Sequence, residues 1–400
     1  MELLRNRGWQ PISQWWRLLL SKIGAAAAIG VLVFFVASVP VQAQSLDVDG
    51  AGYAKHLTIR GASPLSEEPF WINTSRLRLQ AFVDGGTWFR SEAAFDTEVL
   101  LGSYASSADY ALARELERPT YVNLDWGLWN GEYHDIRQGF HRLHATGEFD
   151  AFRVRLGRQR IAWGSGFFWN PTDLLNPVNP AAVERDEEPG VDAAHLVVPF
   201  GVLNRAEAAF APGWDDTPVS IASRVQANVN GYDVAVMGGS FRGDAVVGGE
   251  FAGYVGGAGF RGEAAYTWRE DQSNFIRAIL NADHTLAGGT HLLAEFYLNG
   301  RGAVSPDDYE SEQLLEGDAF NLGRYYLAGM ASHSISPLVQ GSFYTLFNLG
   351  DQSALAGPML QYSLTQDVDV VGGAYLMVGG ERSEFGGRDN VYFASLQYFF

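Results

Sequence analysis

The sequence predicts an all-β fold: a transmembrane antiparallel β-barrel of about 18 strands, with about 16 also compatible. Three observations carry this. Apolar and polar residues alternate with period two through almost all of the chain after residue 43, many of these runs are long, and the connections between them fall into a short set and a long set that take turns. A tilted strand crossing a bilayer needs about 9–11 residues, whereas strands of ordinary sheets are most often about 5–6. Short turns at one end and long loops at the other is the asymmetry of a membrane barrel with both termini at the short-turn end.

The composition agrees. The 400 residues carry a formal net charge of −18, and 18% of them are charged, below the roughly 25% typical of soluble domains. Aromatics reach 13% and Cys is absent, which removes disulfide frameworks, thiolate nucleophiles and Cys-ligated metal sites. The acidic balance argues against a surface built for nucleic-acid phosphates.

Residues 1–43 read as a signal peptide. Arg5, Arg7, Arg17 and Lys22 form a basic leader, residues 23–39 are almost wholly apolar or small, and Val41-Gln42-Ala43 has the small-residue spacing of a cleavage site. A single membrane anchor is the alternative, because the apolar run is about as long as the shortest spanning helix. Cleavage after Ala43 takes away those four basic residues and Glu2, leaving 24 basic and 45 acidic residues, a net of −21. Lys55 is then the one lysine, and the preference for Arg points to cations held in fixed, paired geometry.

From residue 44 onward the strands are expected near 51–60, 74–83, 87–98, 136–147, 150–160, 193–200, 203–211, 218–229, 232–241, 244–253, 256–268, 274–284, 290–298, 324–334, 337–348, 355–365, 368–379 and 389–400. In 75–83, Leu77, Leu79, Ala81 and Val83 share one face and Arg76, Arg78 and Gln80 the other. Arg90, Arg142, Arg205, Arg224, Arg277 and Arg324 also fall on polar faces, as do Glu92, Asp96, Glu207, Asp283, His291 and Glu295, their candidate partners. A lipid-facing arginine would cost about 2–4 kcal/mol at the midplane, so these belong to the lumen. The long connections are 61–73, 99–135, 161–192, 212–217, 269–273, 299–323 and 380–388. Arg242-Gly243 is the exception, a short turn that falls in the long set.

The chain ends Tyr398-Phe399-Phe400. A terminal Phe with apolar residues at alternate positions before it looks like the assembly signal of bacterial outer-membrane barrels, so Tyr398 and Phe400 are assigned to recognition by the barrel assembly machinery.

The most unusual stretch runs from Gly157 to Pro177: GRQRIAWGSGFFWNPTDLLNP. Through Gly157, Gln159, Trp163, Gly164, Trp169, Pro171, Asn176 and Pro177 it resembles porin-like outer-membrane families, including alginate-export-like barrels, that place such a run where a strand leads into a long loop. The resemblance implies a channel without naming a solute. Arg153 and Arg155 share one strand face, and a bulge at Gly157 is expected to shift Arg158 and Arg160 onto it. Folding of loop 161–192 into the pore would set these arginines against Asp173, Glu184 and Asp186, a transverse field at a constriction. The alternative places Trp163 and Trp169 at the membrane interface, with the arginines tying the loop to the wall.

No GxSxG, HExxH or phosphate-loop pattern occurs, and the eight His show no metal-ligand spacing, so neither an enzyme, a cofactor nor a metal site is expected. Two functions remain. One is a passive channel in the outer membrane for small anionic or amphiphilic solutes, with an arginine-lined lumen; the other is a loop-plugged barrel that binds, assembles or exports an extracellular polysaccharide. Expected partners are outer-membrane lipid and lipopolysaccharide, the assembly machinery and small solutes. A homo-oligomer stays open.

Overall fold

The computed structural model describes residues 46–63, 66, 68–115, 120–177, 179–184, 190–213, 217–270, 272–310, 312–315 and 320–400. The expected signal peptide lies outside them, as does Asp186. The strands are β1 (Asp47–Ala62), β2 (Pro69–Asp84), β3 (Phe89–Leu101), β4 (Asp125–Gly131), β5 (His134–Glu148), β6 (Arg153–Gln159), β7 (Val191–Pro199), β8 (Arg205–Ala211), β9 (Ser220–Val229) and β10 (Tyr232–Phe241). They continue with β11 (Asp244–Val255), β12 (Ala258–Trp268), β13 (Phe275–Thr285), β14 (His291–Asn299), β15 (Tyr325–Ser336), β16 (Val339–Asn348), β17 (Ser353–Thr365), β18 (Val368–Val378) and β19 (Val391–Phe399).

Every strand pairing is antiparallel, and β1 closes the ring against β19 from Tyr53↔Phe399 to Arg60↔Tyr392. Phe400 continues the seam, exchanging both backbone hydrogen bonds with Gly52 at 2.8 and 3.0 Å. Closure leaves the ring without an open edge, the condition for spanning lipid with strands. Eighteen strands form the ring, and β4 is an addition to it, because β3 pairs directly with β5.

The alternation read from the sequence determines which face is wet. Leu77 and Leu79 on β2, Ile221 and Val225 on β9, and Phe296 on β14 point outward and are exposed, while Arg78, Arg224, Glu263 and Glu295 point inward and are buried. Tyr392 and Tyr398 stand on the outer face of β19 near its two ends, the aromatic girdle positions of a membrane barrel.

Short turns join the strands at the end where the chain enters and leaves. Long segments join most of them at the other, with two exceptions: residues 349–352 make a four-residue turn between β16 and β17, and at Arg242-Gly243 both residues take positive φ, 50° and 97°, as the tightest hairpin turns require.

The strand missed by sequence is β4. One edge of β5 pairs with β3 along its length; the other pairs with β6 from Glu148↔Arg153 to Leu143↔Arg158 and then with β4 from Asp125↔Gly139 to Gly131↔His134. β4 therefore takes the place that β6 vacates when the chain turns away after Gln159.

The expected bulge at Gly157 is a correction. Register runs unbroken from Arg153 to Arg158 against β5 and from Arg153 to Gln159 against β7, so Arg158 keeps the phase of outward-facing Leu156 and lies across the sheet from Arg153 and Arg155. Glycine is needed for another reason: φ is +115°, and a Cβ would sit 2.3 Å from the Leu143 carbonyl oxygen.

Candidate functional site

The segment after β6 runs along the inner wall of the barrel, held by side chains from widely separated strands. Trp163 Nε1 donates to Glu207 Oε2 of β8 at 3.3 Å. On β12, Glu263 accepts the amides of Ser165 and Gly166 and, through Oε2, the Thr172 hydroxyl at 2.9 Å. On β14, Glu295 accepts the amides of Phe167, Phe168 and Trp169 at 2.8, 3.0 and 2.9 Å and the Asn281 side-chain amide at 2.9 Å. Farther on, Ala182 accepts from Tyr375 of β18 at 2.9 Å, and Glu184 reaches Lys55 of β1 and Arg76 of β2 at 2.7 and 3.2 Å.

A carboxylate that accepts several amides in a row satisfies a turn's donors as water would, but in fixed geometry. Gly164 makes this approach possible. Its φ is +104°, and a Cβ would lie 2.9 Å from both Glu263 oxygens. The loop also closes on itself, because Asn176 Oδ1 accepts the Ile161 amide and Asp173 Oδ1 accepts the Asn176 amide, each at 3.0 Å.

Apolar packing divides the inner wall. Trp163, Leu174 and Leu175 pack with Ala209, Ala222, Met237 and Val246 of β8–β11. Phe168 and Trp169 join a larger cluster with Tyr297, Tyr326, Tyr344, Tyr375 and Phe393 of β14–β19. Trp169 stacks on Tyr297 with centroids 4.7 Å apart and planes at 14°, and donates to Asn321 Oδ1 at 2.9 Å.

A buried carboxylate of the segment after β18, Glu384, ties down the loop before β15: it accepts from Asn321, the Leu322 amide, Tyr326 and Asn348. Beside it, Tyr309 donates to Asp351 at 2.7 Å, and burial together with that carboxylate pushes its phenol up.

The wall from β1 to β6 is of a different kind. Its inward side chains include Lys55, Arg76, Arg78, Arg142 and Arg155. Arg78 makes a two-pronged contact with Asp96, with Nε to Oδ1 at 2.6 Å and Nη2 to Oδ2 at 2.5 Å. Arg76 bonds Glu98 at 2.8 Å as well as Glu184, and Arg155 donates to Thr146 Oγ1 at 3.1 Å. One face of the lumen thus carries Lys55 and arginines beside the carboxylates Glu92, Asp96 and Glu98, and the other is aromatic, with the loop packed on the aromatic side and Glu184 reaching across to Lys55 and Arg76.

The constriction set drawn from sequence is not assembled as a group. Arg153 and Arg155 face inward on β6. Arg158 is 4% exposed and sits at the fork between β4 and β6, where it bonds Asp192 at 3.0 Å, Asp125 at 2.6 Å, the Phe140 carbonyl at 3.1 Å and the Val122 carbonyl at 2.7 Å. Arg160 is exposed just past β6, and Asp173 is buried within the loop. Glu184 finds Lys55 and Arg76 in place of the β6 arginines.

Of the motif residues, Gln159 is fully buried, its Nε2 donating to the Ala193 carbonyl at 2.9 Å. Pro171 is buried and Pro177 half-buried. Trp163 and Trp169 are interior residues, 4% and 5% exposed, and not part of an interfacial girdle. Sequence reasoning missed Glu263 and misread Glu295 as an ion-pair partner. The available signal was an inward carboxylate with no cation across the strand: Glu263 lies opposite Glu250 and Ile279, and Glu295 opposite Asn281 and Ala328.

No protein-family model matches the chain, alginate-export-like or other, and no curated protein matches it. Solved structures do. OccAB1 of Acinetobacter baumannii superposes with a TM-score of 0.57 at 8% identity, covering 89% of this chain and 96% of its own. OpdK, an outer membrane protein of Pseudomonas aeruginosa, gives 0.55 at 9% identity, with 88% and 98% covered. OccK8 (OprE) of the same organism gives 0.51 at 10%, again with 88% and 98% covered. The chain has the fold of these outer-membrane barrels across nearly its whole described length.

Proposed function

We propose that the protein is an outer-membrane channel through which small anionic or amphiphilic solutes diffuse passively between an arginine-bearing and an aromatic wall. The observation that carries this reading is the pairing of Lys55 and Arg76 with Glu184. A carboxylate carried by the inner loop already occupies the arginine-bearing wall, at 2.7 and 3.2 Å. A solute carboxylate would make the same contacts while its apolar part lay toward Trp169, Tyr297 and their neighbours. OpdK, one of the similar structures, is solved with vanillate, a molecule with both features. On this reading loop 161–192 narrows the passage, the long loops face outside and the short turns face the periplasm.

The test is the reversal potential of the purified protein in planar bilayers under a salt gradient. Lys55→Gln with Arg76→Gln is expected to shift it toward cation preference at low salt, with the shift fading near 1 M, where the screening length is about 3 Å. An unchanged reversal potential at low salt counts against the reading. A parent protein with no measurable conductance would instead favour the loop-plugged, polysaccharide-handling barrel, for which the many anchors of the inner loop speak.

A further inference from the structure

The outer face of β1, β2, β3 and β5 departs from the rest of the barrel. On β1 the outward residues above Ala54 are His56, Thr58 and Arg60; opposite them on β2 stand Ser75, Asn73 and Trp71. His56 Nδ1 and Ser75 Oγ are 2.9 Å apart, and Thr58 Oγ1 donates to Asn73 Oδ1 at 2.6 Å. Further round, Gln138 Nε2 of β5 donates to Thr97 Oγ1 of β3 at 3.0 Å. His56, Thr58 and Ser75 are exposed on this face.

Their depth is fixed by register. Ala54 pairs with Tyr398 and Arg60 with Tyr392, while His56 and Thr58 lie opposite Leu396 and Ala394, midway between the two girdle tyrosines. Hydroxyl, imidazole and amide groups therefore point outward at the depth of the acyl chains, which accept and donate nothing. The opposite side presents Ile276, Leu280, Phe296 and Leu327 instead.

We propose that this polar face docks a second copy of the chain within the membrane. The occupant follows from chemistry and depth. The hydroxyl and amide side chains of Thr58, Asn73, Ser75, Thr97 and Gln138 each offer both donors and acceptors, so the patch complements itself. Copies related by a symmetry axis along the membrane normal present the same residues at the same depth. A lipid phosphate would need cations at headgroup level, and His56, Thr58, Asn73 and Ser75 lie in the rows between the girdle tyrosines, with Arg60 alone at the level of Tyr392.

The absence of Cys makes the test direct. Single Ser75→Cys and Gln138→Cys proteins in isolated outer membranes are expected to give a product of twice the chain mass with a short bis-maleimide, while Leu327→Cys on the opposite face gives none. Native mass measurement in mild detergent is expected to show an oligomer for the parent and the monomer for Thr58→Val/Asn73→Leu/Ser75→Ala, with the triple variant still running as a folded, heat-modifiable barrel. A monomeric parent, cross-linking at Leu327→Cys but not at the patch, or an adduct with a different protein overturns the proposal. So does a triple variant that keeps the parent's mass and unfolds at higher temperature, the outcome for a patch that faces lipid.

Discussion

Glu295→Ala removes the acceptor shared by three consecutive loop amides, those of Phe167, Phe168 and Trp169. Each hydrogen bond to a charged group contributes about 1.5–3 kcal/mol, so the three together hold the loop by roughly 5–9 kcal/mol. Against this stand the Trp169–Tyr297 stack, about 0.5–1.5 kcal/mol beyond its burial, and the untouched anchor at Glu263. Amides left without an acceptor against an apolar wall are satisfied only by turning toward water, so residues 167–169 are expected to leave the wall while 164–166 stay pinned. The assay is single-channel conductance at about 1 M salt, where screening to about 3 Å suppresses the effect of the lost charge and reports the bore. A changed and noisier conductance is expected for Glu295→Ala, with Glu295→Gln in between because its amide oxygen still accepts. Parent-like conductance and unchanged tryptophan fluorescence in both variants would refute the reasoning.

Arg158→Ala is expected to lower the temperature at which the barrel unfolds on a gel, because it leaves Asp192 buried without its partner, a loss of about 3–5 kcal/mol for a broken buried pair. Glu184→Gln uncovers Lys55 and Arg76, so anion preference is expected to rise at low salt; a reversal potential equal to the parent's would contradict this. Deleting Phe400 removes two backbone bonds to Gly52 at the closing seam, and a reduced fraction of folded barrel in the outer membrane is the expected result, read by heat-modifiable mobility.

The eighteen ring strands were legible because lipid outside and polar groups inside impose strict alternation, and a slip of one residue would turn every arginine toward lipid. β4 was not. Its sequence, Asp-Trp-Gly-Leu-Trp-Asn-Gly, has no alternating pattern, and nearly every residue in it is exposed, so only the gap left by β6 recruits it. The inner loop was legible as an oddity through its glycines and tryptophans, yet its anchors were not. Glu263 and Glu295 bind backbone amides, and amides are present at every position of a sequence. Arg158 was misplaced for the related reason that a positive φ at Gly157 reads as a bulge, whereas here it relieves a clash without breaking register.

β6 and β8 have seven residues each, while β1 and β2 have sixteen. A seven-residue strand tilted by about 40° rises only roughly 18 Å, short of the apolar band of about 25 Å that such barrels present. On this flank the acyl chains would overtop the wall, and either the outer leaflet thins or something else must meet it. The β4 hairpin stands there, with Val122 and Asp125 clamped by Arg158 and the Val122 amide bonded to Asp192 at 2.8 Å. Residues 120–133 are therefore part of the hull as well as a loop, and removing them would set a charged arginine–aspartate pair against hydrocarbon.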